Sequence, residues 1–127
     1  MKFMCLICAD RMMEHMPSAD AQRHFDEYAE FTRSLARSGQ LVSLNRLLPP
    51  ETATTVRVRD GKMTAVDGPF AETKEHLGGY FIIEARDTNE AIQIAARIPG
   101  ARMGCVELRR VADDPPTRAV LAAGGAE

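Results

Sequence analysis

An excess of charge is what this chain most plainly lacks. Sixteen Lys and Arg stand against eighteen Asp and Glu, a net charge of -2. That balance excludes a large electrostatic footprint for DNA or RNA and gives no attraction to an anionic membrane surface. Long apolar runs are missing too. The longest at the start, Phe3 to Ala9, ends at once in Asp10 and Arg11. It falls short of the ~20 residues of a transmembrane helix and lacks the small-residue cleavage site of a signal peptide. The expectation is a cytoplasmic protein. Cysteine is scarce: Cys5, Cys8 and Cys105 are an odd number and form no disulfide framework, which fits a reduced compartment. Cys5 and Cys8 make a C-x-x-C, but inside a β-like run rather than at a helix N-terminus, where the dipole would lower a thiol pKa. Side chains three apart on a strand point to opposite faces, so the two read as small buried hydrophobes. P-loop, G-x-G-x-x-G, G-x-S-x-G and H-E-x-x-H signatures are absent, which removes the common nucleotide and hydrolase readings. No cofactor and no metal site are expected. Tryptophan is absent as well, beside seven Met, and decides nothing.

What is present is enough for one domain. A chain of 127 residues with 45% hydrophobic and 27% charged residues buries roughly two-thirds of its unfolded surface on folding. Residues 1–112 read as the folded domain and 113–127, with Pro115-Pro116 and a Gly-Gly near the end, as a flexible tail with one helical turn near Val120. Residues 2–9 are apolar on both alternating faces, as a central strand covered on both sides requires. Ser18 is placed as an N-cap with Asp20 in the first turn. Phe25, Tyr28, Phe31, Thr32, Leu35 and Ala36 then recur at helical steps, and Gly39 stands at C′. Leu41 to Leu48 alternates like an edge strand with Val42, Leu44 and Leu48 on the buried side, and Pro49-Pro50 stops it. Thr54–Arg59 and Lys62–Val66 flank Asp60-Gly61, the strongest short hairpin signal. A polar loop from Asp67 to Gly79 precedes the apolar strand Tyr80–Ala85. Asp87 with Glu90 resembles a capping box and opens a helix with Ala91, Ile92, Ala95 and Ile98 on one stripe. Cys105–Val111 is the last strand.

The order is β-α-β-(ββ hairpin)-β-α-β. With the hairpin set aside, this is the α+β split β-α-β pattern of a ferredoxin-like sheet, whose first and third strands lie in the middle. Those are the strands apolar on both faces. Two helices cover one face of four strands, and the other face is left apolar, more than a soluble monomer tolerates. A homodimer with the open sheet faces packed together is the expected solution.

The densest polar segment carries the strongest resemblance. DGPFAETKE at 67–75, LGGY at 77–80 and ATTVRVRDG at 53–61 resemble the DGPF-domain branch of the YCII-related family, over about residues 2 to 111. The resemblance implies a ferredoxin-like, dimeric α+β barrel whose activity is generally unassigned. It also implies a regulatory setting beside an extracytoplasmic-function sigma factor, which makes such a factor an expected partner. The YCII branch implies a His–Asp acid/base pair in a cleft between helix and sheet. Counted back from the glycine that closes the first helix, the family His falls on Tyr28 here, and the acidic member corresponds to Asp67.

The candidate residues follow. Asp67 is either the base of a partly buried cleft or a turn cap before Gly68-Pro69. His24, one turn before Tyr28 on the same face, is the imidazole available in place of the missing one. Tyr28, Glu72, Thr73, Lys74 and Tyr80 are candidates for holding a polar ligand, with solvated-turn or packing roles as the alternatives. His15 reads as solvated, and His76 lies in the signature segment. Arg46 and Arg57 are edge-strand cations that either neutralise an acidic substrate or stay on the surface. Asp20, His24 and Glu27 share a helix face but lack the Cys/His spacing of a zinc site. The expected function is binding of a small polar molecule between the first helix and the sheet, with acid/base chemistry. The competing expectation is a non-catalytic module acting with a sigma factor.

Overall fold

The structure is a computed structural model and describes residues 1–10, 16–71 and 73–124. Its elements are β1 (Lys2–Ala9), α1 (Ser18–Arg37), β2 (Leu41–Arg46), β3 (Thr54–Arg59), β4 (Lys62–Asp67), β5 (His76–Glu84), α2 (Thr88–Ala96), β6 (Cys105–Arg110) and α3 (Pro115–Gly124). Short 3-10 turns occupy Pro50–Thr52 and Pro99–Arg102.

Four strands form one antiparallel sheet in the order β2-β5-β1-β6, and β3 and β4 form a separate hairpin. The two strands apolar on both faces, β1 and β5, are the central ones. The fold is therefore the ferredoxin-like α+β arrangement that the order of elements predicts. Directly paired residues share a face. Phe3 with Ile83 and Cys5 with Phe81 and Leu108 point toward α1 and α2, whereas Met4 with Ile82 and Leu6 with Tyr80 and Glu107 point to the opposite, open face. The core lies wholly on the helix side, around Phe3, Leu35, Ile83 and Ile98. Phe31 meets Phe81 edge to face at 5.3 Å, and the Arg97 guanidinium lies over the Phe31 ring.

The local signals behave physically. Asp60 and Gly61 both take positive φ, 52° and 74°, the two left-handed residues that a tight hairpin turn needs. At the end of α1 the Gly39 N–H bonds to the Ala36 carbonyl and the Gln40 N–H to the Leu35 carbonyl, a Schellman motif around a glycine at φ 75°. Asp87 caps α2 by accepting from the Glu90 N–H at 2.8 Å. The Glu90 carboxylate bonds back to the Arg86 N–H rather than to that of the cap residue.

Several expectations change. Pro17, not Ser18, precedes the first helical residue of α1, and no side chain caps it. In β2 the register shifts between Leu41 and Ser43: Leu41 packs on the core opposite Ile83, the extra residue Val42 is exposed, and Leu44, opposite Phe81, is only partly covered on this edge strand. β5 starts at His76, drawing LGG into the strand. α2 buries Ile94 instead of Ile92, because 91, 94, 95 and 98 form the closer stripe on a 3.6-residue helix. Residues 115–124, read as mostly loose, form the exposed helix α3, begun by Asp114 bonding Thr117. Cys5 is fully buried and burial pushes its thiol up to about 11, but Cys8 is only half-buried, so the reading of the C-x-x-C as two buried hydrophobes holds for Cys5 alone.

Candidate functional site

Helix α1 lies against the helix face of the sheet and presents His24 and Tyr28 on adjacent turns. The two rings meet edge to face, 4.9 Å apart, and Tyr28 stacks in parallel with Phe81 at 6.4 Å. The Tyr28 hydroxyl oxygen accepts the Gly100 N–H at 3.0 Å. A Cβ at Gly100 would stand 2.5 Å from that oxygen, so an added methyl would displace the phenol from the 3-10 turn. Burial raises the Tyr28 pKa, partly offset by that hydrogen bond and by Arg102. The phenol is therefore neutral at physiological pH, and among the described residues its proton has no acceptor.

His24 is only 8% exposed, and its Nε2 has no hydrogen-bond partner among the described residues. Burial holds its pKa below the usual imidazole value, with the Arg102 charge acting in the same direction and Glu27 against it. A solvent-open depression beside it is lined by Met16, Asp20, Arg23, His24 and Glu27. The two carboxylates are taken up: Asp20 pairs with Arg23 and Glu27 with Arg102, whose hydrogen bond keeps the Glu27 carboxyl low. The helix face read from spacing thus exists, and arginines engage both of its acids. No group of three potential metal ligands occurs among the described residues.

The depressed pKa of His24 has a sign that can be measured. Above about pH 6.5 the imidazole is neutral in both the folded and unfolded chains, and stability is full. As pH falls through 6.5 toward the lower folded value, the unfolded chain takes up a proton that the folded one does not. Stability then drops. Urea midpoints at pH 7.5 and 5.5 will fall further for the wild type than for His24→Gln; equal falls would show that His24 is not held neutral by burial.

The other candidates lie elsewhere. Asp67 ends β4 opposite Thr54 and is exposed, with no hydrogen bond or ion pair among the described residues. It does not cap the turn; Thr55 Oγ1 bonds the Gly68 carbonyl there, and the Gly68 N–H bonds Ala53. Tyr80 projects from the open face, where its hydroxyl accepts from Asn45 Nδ2 at 2.8 Å. Tyr28 and Tyr80 therefore stand on opposite sides of the sheet and do not line one cleft. Thr73 bonds the Glu75 carbonyl, and Lys74 is exposed on the same loop. Arg46 and Arg57 are exposed, and His76 is half-buried at the start of β5 opposite Ala9. Glu72 and His15 lie outside the described residues. Sequence reasoning missed Gly100 and Arg102, which come to α1 from more than seventy residues away and leave no local signal.

The sheet order and the helix-borne site define a ferredoxin-like α+β domain with a small polar depression on its first helix. The YCII-related domain matches residues 1–114, and the chain belongs to that family. An uncharacterised protein of Rhizobium meliloti is 33% identical over 93 residues, 72% of this chain and 75% of that protein. Among solved structures, 5-chloro-2-hydroxyhydroquinone dehydrochlorinase from Burkholderia phenoliruptrix, in complex with 2,5-dihydroxybenzoquinone, is 16% identical. That likeness covers 90% of this chain and 96% of the other, with a TM-score of 0.47. No described helix is long and apolar enough to cross a membrane.

Proposed function

We propose that this chain is a DGPF-type member of its family that binds a small polar molecule at the first helix, with His24 and Tyr28 as the proton-handling pair. The observation that carries this reading is the buried His24, held neutral by burial, whose Nε2 has no partner among the described residues. A buried polar atom without a partner is costly, about 1–3 kcal/mol, and a ligand that supplies the bond recovers it. Tyr28 supports the reading because its hydroxyl, already fixed by Gly100, keeps a proton to donate. A neutral imidazole and a neutral phenol 4.9 Å apart form a base and an acid of the kind that shifts a proton on a carbonyl or enol. Asp67, exposed at the end of β4, enters this reading from the family resemblance alone.

The working form is a cytoplasmic homodimer through the open sheet face. Its support is the half-buried apolar surface there, Met4, Leu6 and Ile82, and the hairpin side, where Val56, Val58 and Met63 are each about 60% exposed or more. Three free thiols agree with a reducing location.

A metabolite thermal-shift screen tests the reading, run on wild type, His24→Gln, Tyr28→Phe and Asp67→Asn. Compounds with a carbonyl or enol are expected to stabilise the wild-type dimer, and His24→Gln and Tyr28→Phe to lose that shift at least tenfold in compound concentration, the effect of losing one good hydrogen bond in a buried site; Asp67→Asn loses it only if the exposed hairpin carboxylate reaches the same ligand. A wild type that no compound stabilises, yet that binds a sigma factor at micromolar concentration, would transfer the protein to the regulatory class.

A further inference from the structure

The cysteines that the ligand site does not use are placed as a pair. The β1–β6 ladder runs without a register shift from Phe3 opposite Arg110 to Cys8 opposite Cys105. Directly opposed residues share a face, so both thiols project from the open side of the sheet, while Cys5 is buried on the helix side. The Val111 N–H bonds the Lys2 carbonyl at 2.9 Å, and by alternation the Cys8 pair is also of the hydrogen-bonded kind. In such pairs the Cα atoms are about 5.5 Å apart, near the centre of the range a disulfide spans. Cys105, on the edge strand, is exposed, and its Sγ donates to Glu75 Oε2 at 3.5 Å.

We propose that Cys8 and Cys105 are a reversible thiol pair that closes into an intrachain disulfide when small disulfides of the glutathione type accumulate, joining edge strand β6 to central strand β1. In the first step the Cys105 thiolate attacks one sulfur of oxidised glutathione. A Cys105–glutathione bond forms, the glutathione S–S bond breaks, and one glutathione thiolate leaves and takes up a proton. In the second, the Cys8 thiolate attacks the Cys105 sulfur, and the second glutathione leaves in the same way. Two protein thiols are oxidised and one glutathione disulfide is reduced to two thiols; the two protons lost from the protein end on glutathione. An exposed disulfide of this kind is the reducible, regulatory sort rather than a permanent structural one.

The surroundings set the threshold. The hydrogen bond to Glu75 is the main cause that raises the Cys105 pKa, and burial, followed by the charges of Glu107 and Glu75, raises that of Cys8. The thiols are thus kept protonated and slow at neutral pH, so transient exposure to oxidant leaves the pair open. Once formed, the bond closes a loop of most of the chain, which restricts the unfolded state far more than a local bridge would. The inference does not depend on the ligand site; it requires that the Cys8–Cys105 end of the open face stay accessible when two copies pack.

The experiment incubates the whole protein with oxidised glutathione and maps it by mass spectrometry without reduction. The expected result is loss of two hydrogens and a linked Cys8–Cys105 peptide pair, reversed by dithiothreitol, with a higher urea midpoint for the oxidised form. Cys8→Ser is expected to stop at a glutathione adduct on Cys105, with no gain in midpoint. Glu75→Gln is expected to form the bond several-fold faster at pH 7.5. A stable glutathione adduct in the wild type, a Cys105–Cys105 link between chains, or two unmodified thiols after prolonged incubation would each overturn the proposal. Should Cys8→Ser fail to fold, the wild-type peptide map decides alone.

Discussion

Gly104→Ala is expected to destabilise the protein by about 3 kcal/mol, among the largest effects of any single added methyl group here. Gly104 leads from the Pro99–Arg102 turn into β6, and its N–H bonds the Gly100 carbonyl at 2.9 Å. A Cβ there would stand 2.1 Å from the Cys8 carbonyl oxygen and 2.8 Å from the Ala9 Cα. Both are backbone atoms of the central strand, so no side chain can swing away, and the start of β6 must move off β1. The pairing of Cys8 with Cys105 would be the first to suffer. Gly78→Ala is the control, since its nearest neighbour is the Ile7 carbonyl at 3.9 Å, ordinary contact, and it should change stability by no more than about 0.5 kcal/mol. Urea unfolding of the two variants separates steric need from mere flexibility. A Gly104→Ala midpoint equal to the wild type would refute the close approach of the two strands. The same reasoning divides the glycines of LGGY. Gly79 lets β2 approach, with the Asn45 carbonyl 2.8 Å from where its Cβ would be, whereas Gly78 has room.

Leu35→Ala is the second large effect, a loss of about 3–5 kcal/mol. Leu35 has no exposed surface and lies in the cluster with Phe3, Ile83 and Ile98 where α1 meets the sheet and α2. Truncation removes the transfer free energy of its methyl groups and leaves a cavity walled by Phe and β-branched side chains in fixed rotamers, which close it only partly. Because a domain of this size is stable by about 5–15 kcal/mol, the variant should unfold at a much lower denaturant concentration. Leu121→Ala, on the exposed helix α3, should change the midpoint hardly at all. A Leu35→Ala loss below about 1 kcal/mol would mean that α1 is not the lid of the core.

Much of this architecture was legible because its signals are local. Alternation over residues 2–9, the Asp60-Gly61 turn, Gly39 after α1 and Asp87 before α2 each act within a few residues of themselves, and each is found in place. The misplaced details share a cause. Ser18 has the residue type of a cap, but without a side-chain bond to the first turn it caps nothing. Val42 and Leu44 alternate, yet Val42 is the extra residue at a register shift against β5, and Leu44, although opposite Phe81, stays exposed because β2 is an edge strand. The 77–79 stretch reads as loop because glycine and polar neighbours hide the strand that a close backbone contact requires.

The site was legible in part only. His24 and Tyr28 are one turn apart, so helical spacing alone puts them together. Tyr80 and Phe81 alternate, so one of them had to leave the helix face, and only the pairing with Leu6 and Cys5 decides which. Asp67 is near nothing in sequence that reveals whether the hairpin folds over α1, and within one chain it stands exposed at the end of β4.

By itself, then, the sequence determined the class of fold, its order of elements, its family and the helix face that bears His24, because periodicity and turn chemistry act over a few residues. Only the tertiary structure decided that Arg102 engages Glu27, that Gly100 seats Tyr28, that Gly104 must lack a side chain and that Cys8 faces Cys105. Those are contacts between strands and turns far apart along the chain. Their existence depends on register and backbone separation across the sheet, which no local pattern encodes.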